Sequence, residues 1–367
     1  MVVRHDEQIA DDSTDVLDNA ANDSYVAPIQ YDITSYGADY DVEGLVRRLQ
    51  RQDVLIPPFQ RNYVWNQQEA SRFIESLLLG LPVPGIFLAR ERDSNKLLVI
   101  DGQQRLKTLQ FFYEGFFSPK QDDDKKRVFK LTRVQPNFEG STYETLSESD
   151  KIKLNDSLIH ATIIRQDSPQ DDDTSIYHIF DRLNSEGRRL TPQEIRTAID
   201  HGSFIDVIQD LNCHKNWRSI FGPINPRLKD QEMIIRFLAL YFDESNYERP
   251  MNEFLNRFTD RHRKPDAEFL SMCQSLFIST IDVIWQSIGA RAFRLVRGIN
   301  AAVFDSVMVG LARRLQEGVI DDIERVREAY DNLLADPEYV ELVSQSTSDE
   351  RNVASRLGKA IEQFSRV

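Results

Sequence analysis

The sequence predicts an α+β protein, with a mixed α/β part up to about residue 200 and an all-helical part after it. Two observations carry this. Up to about residue 200, β-suited runs alternate with segments whose apolar residues recur at helical spacing. Beyond it the β pattern fades and amphipathic segments follow one another, among them "DQEMIIRFLALYF", "DAEFLSMCQSLFISTIDVIWQSI", "NAAVFDSVMVGLARRL" and "IDDIERVREAYDNLL". No internal repeat of fixed period is visible, which excludes a solenoid. The expected division is a disordered acidic tail over 1–24, a mixed α/β domain over 25–200 and a helical domain over 201–367.

Taken in order, the tail holds Asp6, Glu7, Asp11, Asp12, Asp15, Asp18 and Asp23 against Arg4, with few large apolar residues to anchor it. Val54 to Ile56 is a short β-suited run that Pro57-Pro58 must end or push to an edge. A loop then carries Gln60, Arg61, Tyr63 and Trp65. The next helix is punctuated at both ends: Asn66 as N-cap, Glu69 at the capping-box position, and Gly80 with Pro82 as the stop. Its apolar stripe is Ala70, Phe73, Ile74, Leu77 and Leu78.

"GIFLARERDSNKLLVI" reads as a hairpin whose second strand ends at Ile100, and a helix with Leu106, Leu109 and Tyr113 on its inner face follows. "QDDD" at 121–124 and again at 170–173 marks exposed loops. Between them lie two strand candidates, "RVFKLTRV" and "LIHATIIRQ", with a short polar helix between, so a sheet of four to six strands is expected. "DTSIYHIFDRLNSEGRRLTPQEIRTAI" is a helix, a turn at Gly187 and a second helix. Thr191 is the N-cap of that second helix, Pro192 its first residue, Glu194 the capping-box acid, and Leu190 with Ile195 the hydrophobic staple.

Composition bounds the function. The net charge of −14 disfavours indiscriminate binding to nucleic acid or to an anionic membrane, although a local basic site is compatible with it. Cys213 and Cys273 alone build neither a disulfide framework nor a paired-thiolate zinc site. The N-terminus lacks the apolar core of a signal peptide, and no uninterrupted apolar run approaches the roughly 18 residues that cross a bilayer. A cytoplasmic protein without membrane partners is expected. The histidines show no ligand spacing, and there is no Walker A sequence, Rossmann glycine fingerprint or Gly-x-Ser-x-Gly elbow.

Three stretches carry candidate chemistry. In "VIDGQQRL" residues 101 to 105 occupy a strand-to-helix turn, where backbone amides and the helix dipole attract anions. Arg105 adds a phosphate-matching fork, and Gln103 and Gln104 add neutral donors and acceptors. Asp101 would oppose a bare phosphate, so it either holds a divalent cation shared with the phosphates, orients water, or is only an N-cap. "IPPFQRNYVW" offers Gln60 and Arg61 beside Tyr63 and Trp65, either as a phosphate or base contact with an aromatic platform or as a surface loop packed on the neighbouring helix. "FDRLNSEGRRLTPQEIR" gathers Arg188, Arg189 and Arg196 beside a helix start, lining a polyanion-facing cleft or solvating the surface. The basic cluster Arg257, Arg261, His262, Arg263 and Lys264 reads as a solvated loop or a contact for DNA or a partner.

In this order the three stretches resemble the N-terminal domain family of GmrSD-type modification-dependent restriction systems, a branch of the ParB/sulfiredoxin-like fold. The resemblance runs from about Asp41 to Ile199. Later segments such as "RLKDQEMIIRFLAL" and "MNEFLNRF" look like the helical region that follows it. It implies binding and hydrolysis of a nucleoside triphosphate and a place in anti-phage defence, and the Asp101 carboxylate adds the expectation of Mg2+. Carried over by position, it implicates Asp101, Gly102, Gln103, Gln104 and Arg105, with Gln60 and Arg61 of the first motif and Asn184 and Gly187 of the third.

Side-chain chemistry within that set suggests Asp101, Gln104 and Arg105 as catalytic, Asp101 as the Mg2+ ligand, and the others as nucleotide contacts. Larger relatives continue into an HNH-like nuclease, whereas the last histidine here, His262 in "DRHRKPD", has no later partner. The resemblance therefore implies a nuclease on another chain. Two alternatives stand beside it: a nucleotide-gated switch that binds DNA or a partner without turnover, and a ParB-like DNA nuclease. Modified DNA and a second copy of the chain remain open as partners.

Overall fold

The computed structural model describes residues 16–17, 32–56, 63–91, 94, 96–117, 127–168, 174–183, 190–200 and 202–367. Its chain falls into two compact units, Gln30–Ile199 and a second made of Asp200–Val367 with Met1–Ile29. The expected acidic tail lies outside the described residues except for Val16–Leu17 (β1), which pairs in parallel with Ile299–Asn300 of the second unit.

The first unit is mixed α/β, as the sequence predicts. Asp32–Asp41 (β2) leads into Val42–Gln50 (α1), whose first turn is capped by the Asp41 carboxylate accepting from the Gly44 amide at 2.6 Å. Val54–Leu55 (β3) is followed by Gln67–Leu78 (α2), where Asn66 and Glu69 form the expected capping box and the stripe Ala70, Phe73, Ile74, Leu77 and Leu78 is buried. Ile86–Arg90 (β4) and Leu97–Asp101 (β5) make the expected hairpin, extended by one residue to include Asp101. Gln103–Glu114 (α3), Phe116–Phe117 (β6), Arg127–Val128 (β7), Glu148–Asp156 (α4) and Leu158–Ser168 (β8) come next. Thr174–Leu183 (α5) and Pro192–Ile199 (α6) close the unit.

Five strands form one sheet in the order β2-β8-β4-β5-β3, antiparallel at β2/β8 and β4/β5 and parallel at β4/β8 and β3/β5. The period of two along a strand sorts its side chains between two cores. Leu97 and Val99 of β5 join Leu88, Ile159 and Ile163 beneath α1, α2 and α3, while Leu98 and Ile100 join Ala89 and Ile164 against α5 and α6. Leu190 and Ile195, the expected staple, sit together in the second core, and Thr191 and Glu194 exchange capping hydrogen bonds of 2.6 and 3.2 Å.

Two readings need correction. "RVFKLTRV" is not a strand of the sheet: only Arg127–Val128 pair, with Phe116–Phe117, in a separate two-stranded ribbon. Phe129 and Leu131 are buried as the pattern demands, but the Leu131 backbone bonds to Ser141 and Gly140 in a tight loop, so no ladder is needed to satisfy it. The inner face of α3 is Leu106, Leu109 and Phe112, all fully buried, with Tyr113 at the margin donating to Asn155 and stacked on Tyr143.

The second unit is helical. Its helices are Ser203–Asn212 (α7), Lys215–Phe221 (α8), Lys229–Asp243 (α9), Met251–Arg261 (α10), Ala267–Ser287 (α11), Ala301–Gln316 (α12), Ile323–Ala335 (α13), Pro337–Leu342 (α14) and Glu350–Phe364 (α15), with Ile299–Asn300 (β9) before α12. Helix α12 is its axis, buried at every residue from Ala301 to Ala312. Among the described residues α11 alone is long and apolar enough to cross a membrane by length and composition. Its Cys273, Leu276, Phe277, Ile281 and Ile284 belong to the core of this unit.

Candidate functional site

The candidate site begins where β5 becomes α3. Gly102 makes the transition in the left-handed region, φ +102°. A Cβ there would lie 2.4 Å from Ile86 Cγ2, so both backbone and space call for glycine. Asp101 does not cap α3: its N-cap is Gly102, which has no side chain to bond the first-turn amides. The positive end of the helix therefore starts just beyond the sheet, with no carboxylate or hydroxyl at its N-cap position.

The Asp101 carboxylate instead pairs with the guanidinium one turn on. Arg105 Nη2 donates to Asp101 Oδ2 at 2.7 Å and to the Gly85 carbonyl at 3.0 Å. The two side chains differ in exposure, 47% for Asp101 and 15% for Arg105. Arg105 is thus fixed between the two edges of the β4–β5 hairpin, its Nε buried without a hydrogen-bond partner, while the carboxylate stays open to solvent.

Gln104 ties the first and second motifs together. Its Oε1 accepts from the Val64 amide at 3.0 Å and the Trp65 amide at 3.3 Å. Tyr63 anchors the same segment through a 2.7 Å hydrogen bond between its hydroxyl and Thr108 Oγ1, with its ring 5.0 Å from that of Phe111 and 5.7 Å from that of Phe117. Burial pushes the Tyr63 phenol well above its ordinary value, against the Thr108 hydrogen bond. Tyr63 is a core residue, and Trp65 packs on Phe73 of α2 at 5.8 Å, so neither ring is an open platform. Gln103 is buried at the first position of α3.

Gln60, Arg61, Asn184, Gly187, Arg188 and Arg189 lie outside the described residues. Arg196 does not line a cleft, since it is fully buried and donates to Gln193. Nor is His262 placed for catalysis: its ring stacks on Phe269 at 4.3 Å and its Nδ1 is bonded to the Phe258 carbonyl. In the same cluster Arg261 pairs with Asp243.

Sequence reading passed over Lys107. It lies on α3 one turn after Gln103, is half-buried, has no ion pair with a described residue, and burial lowers its pKa. Its position in "DGQQRLKTL", one turn after Gln103, was the available signal.

Among the described residues no group of three or more His, Cys, Asp or Glu side chains is placed to hold a metal. One solvent-accessible carboxylate still fits magnesium, which commonly takes one or two carboxylates and completes its shell with phosphate oxygens and water. A phosphate on the first-turn amides would leave Asp101 beside such an ion.

No curated protein matches this chain. Residues 42–199 match the family described as GmrSD restriction endonuclease, N-terminal domain. That span runs from the first residue of α1 to the last of α6 and contains the β5–α3 turn with Gly85, Val64 and Trp65, which bond to it. The mixed α/β part of this chain thus matches the GmrSD N-terminal domain, and that match implies a role in a modification-dependent restriction system.

Proposed function

We propose that this domain binds and hydrolyses a nucleoside triphosphate, and that the chain is the cytoplasmic NTPase component of its restriction system, with the nuclease on another chain. The observation that carries the reading is the glycine start of α3 just beyond the sheet, set directly after a half-exposed Asp101 and beside an Arg105 that it holds in place. The phosphates rest on the first-turn amides, where donors and dipole already point. Arg105 lies beside them and offsets charge as the terminal phosphoryl group leaves. Asp101 either orients the attacking water by accepting its hydrogen bond or would hold magnesium, which would supply neutralisation of part of the phosphate charge.

Gln104 acts through position: by holding the Val64 and Trp65 amides it keeps the segment after Gln60 and Arg61 against α3. Gln60, Arg61, Gly102, Gln103, Asn184 and Gly187 complete the nucleotide site on the family pattern.

One observation favours a second reading, a nucleotide-gated switch without turnover. Asp101 and Arg105 already pair with each other in the free chain, so a triphosphate must compete with that pair, and binding would be coupled to its opening. Phosphate release from ATP, GTP, CTP and UTP with magnesium separates the two. Turnover well beyond one phosphate per chain is expected, reduced about 100-fold or more in Asp101→Ala and Arg105→Ala. A folded Arg105→Ala protein that hydrolyses at the original rate overturns the assignment, and binding with no release leaves the switch.

A further inference from the structure

The helical unit contains a cavity of about 480 Å³ between the end of α9, α12 and the start of α15, lined by Tyr241, Phe242, Glu244, Tyr247, Arg313 and Glu350 among others. Two of its groups are open. The Arg313 guanidinium lies 4.2 Å from the centroid of the Tyr241 ring and donates from Nη2 to the Tyr241 carbonyl at 2.7 Å, which holds it still without neutralising it. Glu244 is half-buried, and among the described residues its carboxylate accepts no hydrogen bond and joins no ion pair. Burial raises its pKa while the charge of Arg313 acts the other way, so the two share the cavity without closing on each other.

The third charged group is occupied. Glu350 Oε1 accepts from the Arg249 amide at 3.0 Å and lies 3.8 Å from Arg249 Nε. Tyr247, whose hydroxyl donates to the Ser348 carbonyl, stands close to a buried cluster of two guanidiniums, Arg236 and Arg356, on one carboxylate, Asp305.

These groups select among ligands. A phosphate would meet Glu244 and Glu350 with repulsion. A metal ion would have Arg313 beside it and no cluster of three ligands. An apolar ligand would desolvate both Glu244 and Arg313 with nothing in return. A ligand with both charges satisfies both groups: a carboxylate fits the guanidinium fork, and an ammonium offers donors to Glu244.

We propose that this cavity binds a small zwitterion of the α-amino-acid type, its carboxylate on Arg313 and its ammonium on Glu244, with Phe242 and Val353 among the walls around its side chain. The site lies wholly within the helical unit and does not depend on the nucleotide reading of the other unit.

Calorimetric titration of the full chain with each standard amino acid tests it. At least one amino acid binds saturably, and its N-acetyl and methyl-ester forms, each lacking one charge, bind about tenfold more weakly or worse. Glu244→Gln, with its unfolding temperature measured alongside, weakens the same amino acid by a similar factor. Absence of binding across the set overturns the proposal. So does binding that survives both the blocked ligands and Glu244→Gln. The ligand comparison needs no variant, so a folding defect in Glu244→Gln leaves the proposal testable.

Discussion

Gly102 bears two constraints at once, a left-handed backbone and a space that Ile86 already fills. Gly102→Ala should therefore destabilise the protein by on the order of 2 kcal/mol, from strain and displacement of β4 together. It should also abolish triphosphate binding, because the first-turn amides of α3 turn with it. Urea unfolding and nucleotide titration check the two effects; wild-type stability would mean that the turn relaxes at no cost. Arg105→Ala should behave oppositely. Its ion pair involves a half-exposed carboxylate, and such pairs contribute about 0–1 kcal/mol, so the variant should stay folded and any loss of turnover be read as chemistry. Sequence reading located the acid, amides and guanidinium correctly at a strand-to-helix turn. It left Asp101 open between cap and ligand because spacing alone cannot show that a carboxylate reaches forward one turn to Arg105 rather than to an amide.

At the scale of elements, legibility followed punctuation. Helix α2 with its Asn66–Glu69 box and α6 with Thr191, Pro192 and Glu194 were readable because their caps are local hydrogen bonds written in adjacent residues. Strand β2 passed unnoticed: "DITSYGADYD" is an edge strand exposed along nearly its whole length, so no buried face imposes an alternating pattern on it. "RVFKLTRV" misled in the other direction, since Phe129 and Leu131 are buried from a loop. Contacts between distant helices leave still less trace. Gly310 of α12 faces α15 so closely that a Cβ would lie 2.8 Å from the Ala360 carbonyl carbon. Gly310→Ala improves helix propensity by about 1 kcal/mol, yet the clash is with backbone and cannot be absorbed by a rotamer change. A net destabilisation of about 1–3 kcal/mol is expected in thermal or urea unfolding, and a variant more stable than wild type would show that α15 moves aside freely.

At the scale of the whole molecule, stability should depend on pH through groups that folding keeps neutral. His262 closes α10 with its ring between Phe258 and Phe269, centroids 4.4 and 4.3 Å away. Burial lowers its pKa from the ordinary value of 6.5, with Arg261 acting in the same direction, and the Phe258 carbonyl and Asp243 opposing it. A histidine depressed in the folded state binds its proton more readily once unfolded, so below pH 6.5 the unfolded chain takes up protons that the folded chain refuses. The contribution is fully present above that value and is lost progressively as pH falls towards the folded pKa. Unfolding free energy measured in urea should therefore drop between about pH 7 and pH 5, and His262→Gln, less stable at neutral pH for lack of its stacking, should show a shallower drop. Equal slopes for the two proteins would assign the acid sensitivity to other groups and remove His262 from the account.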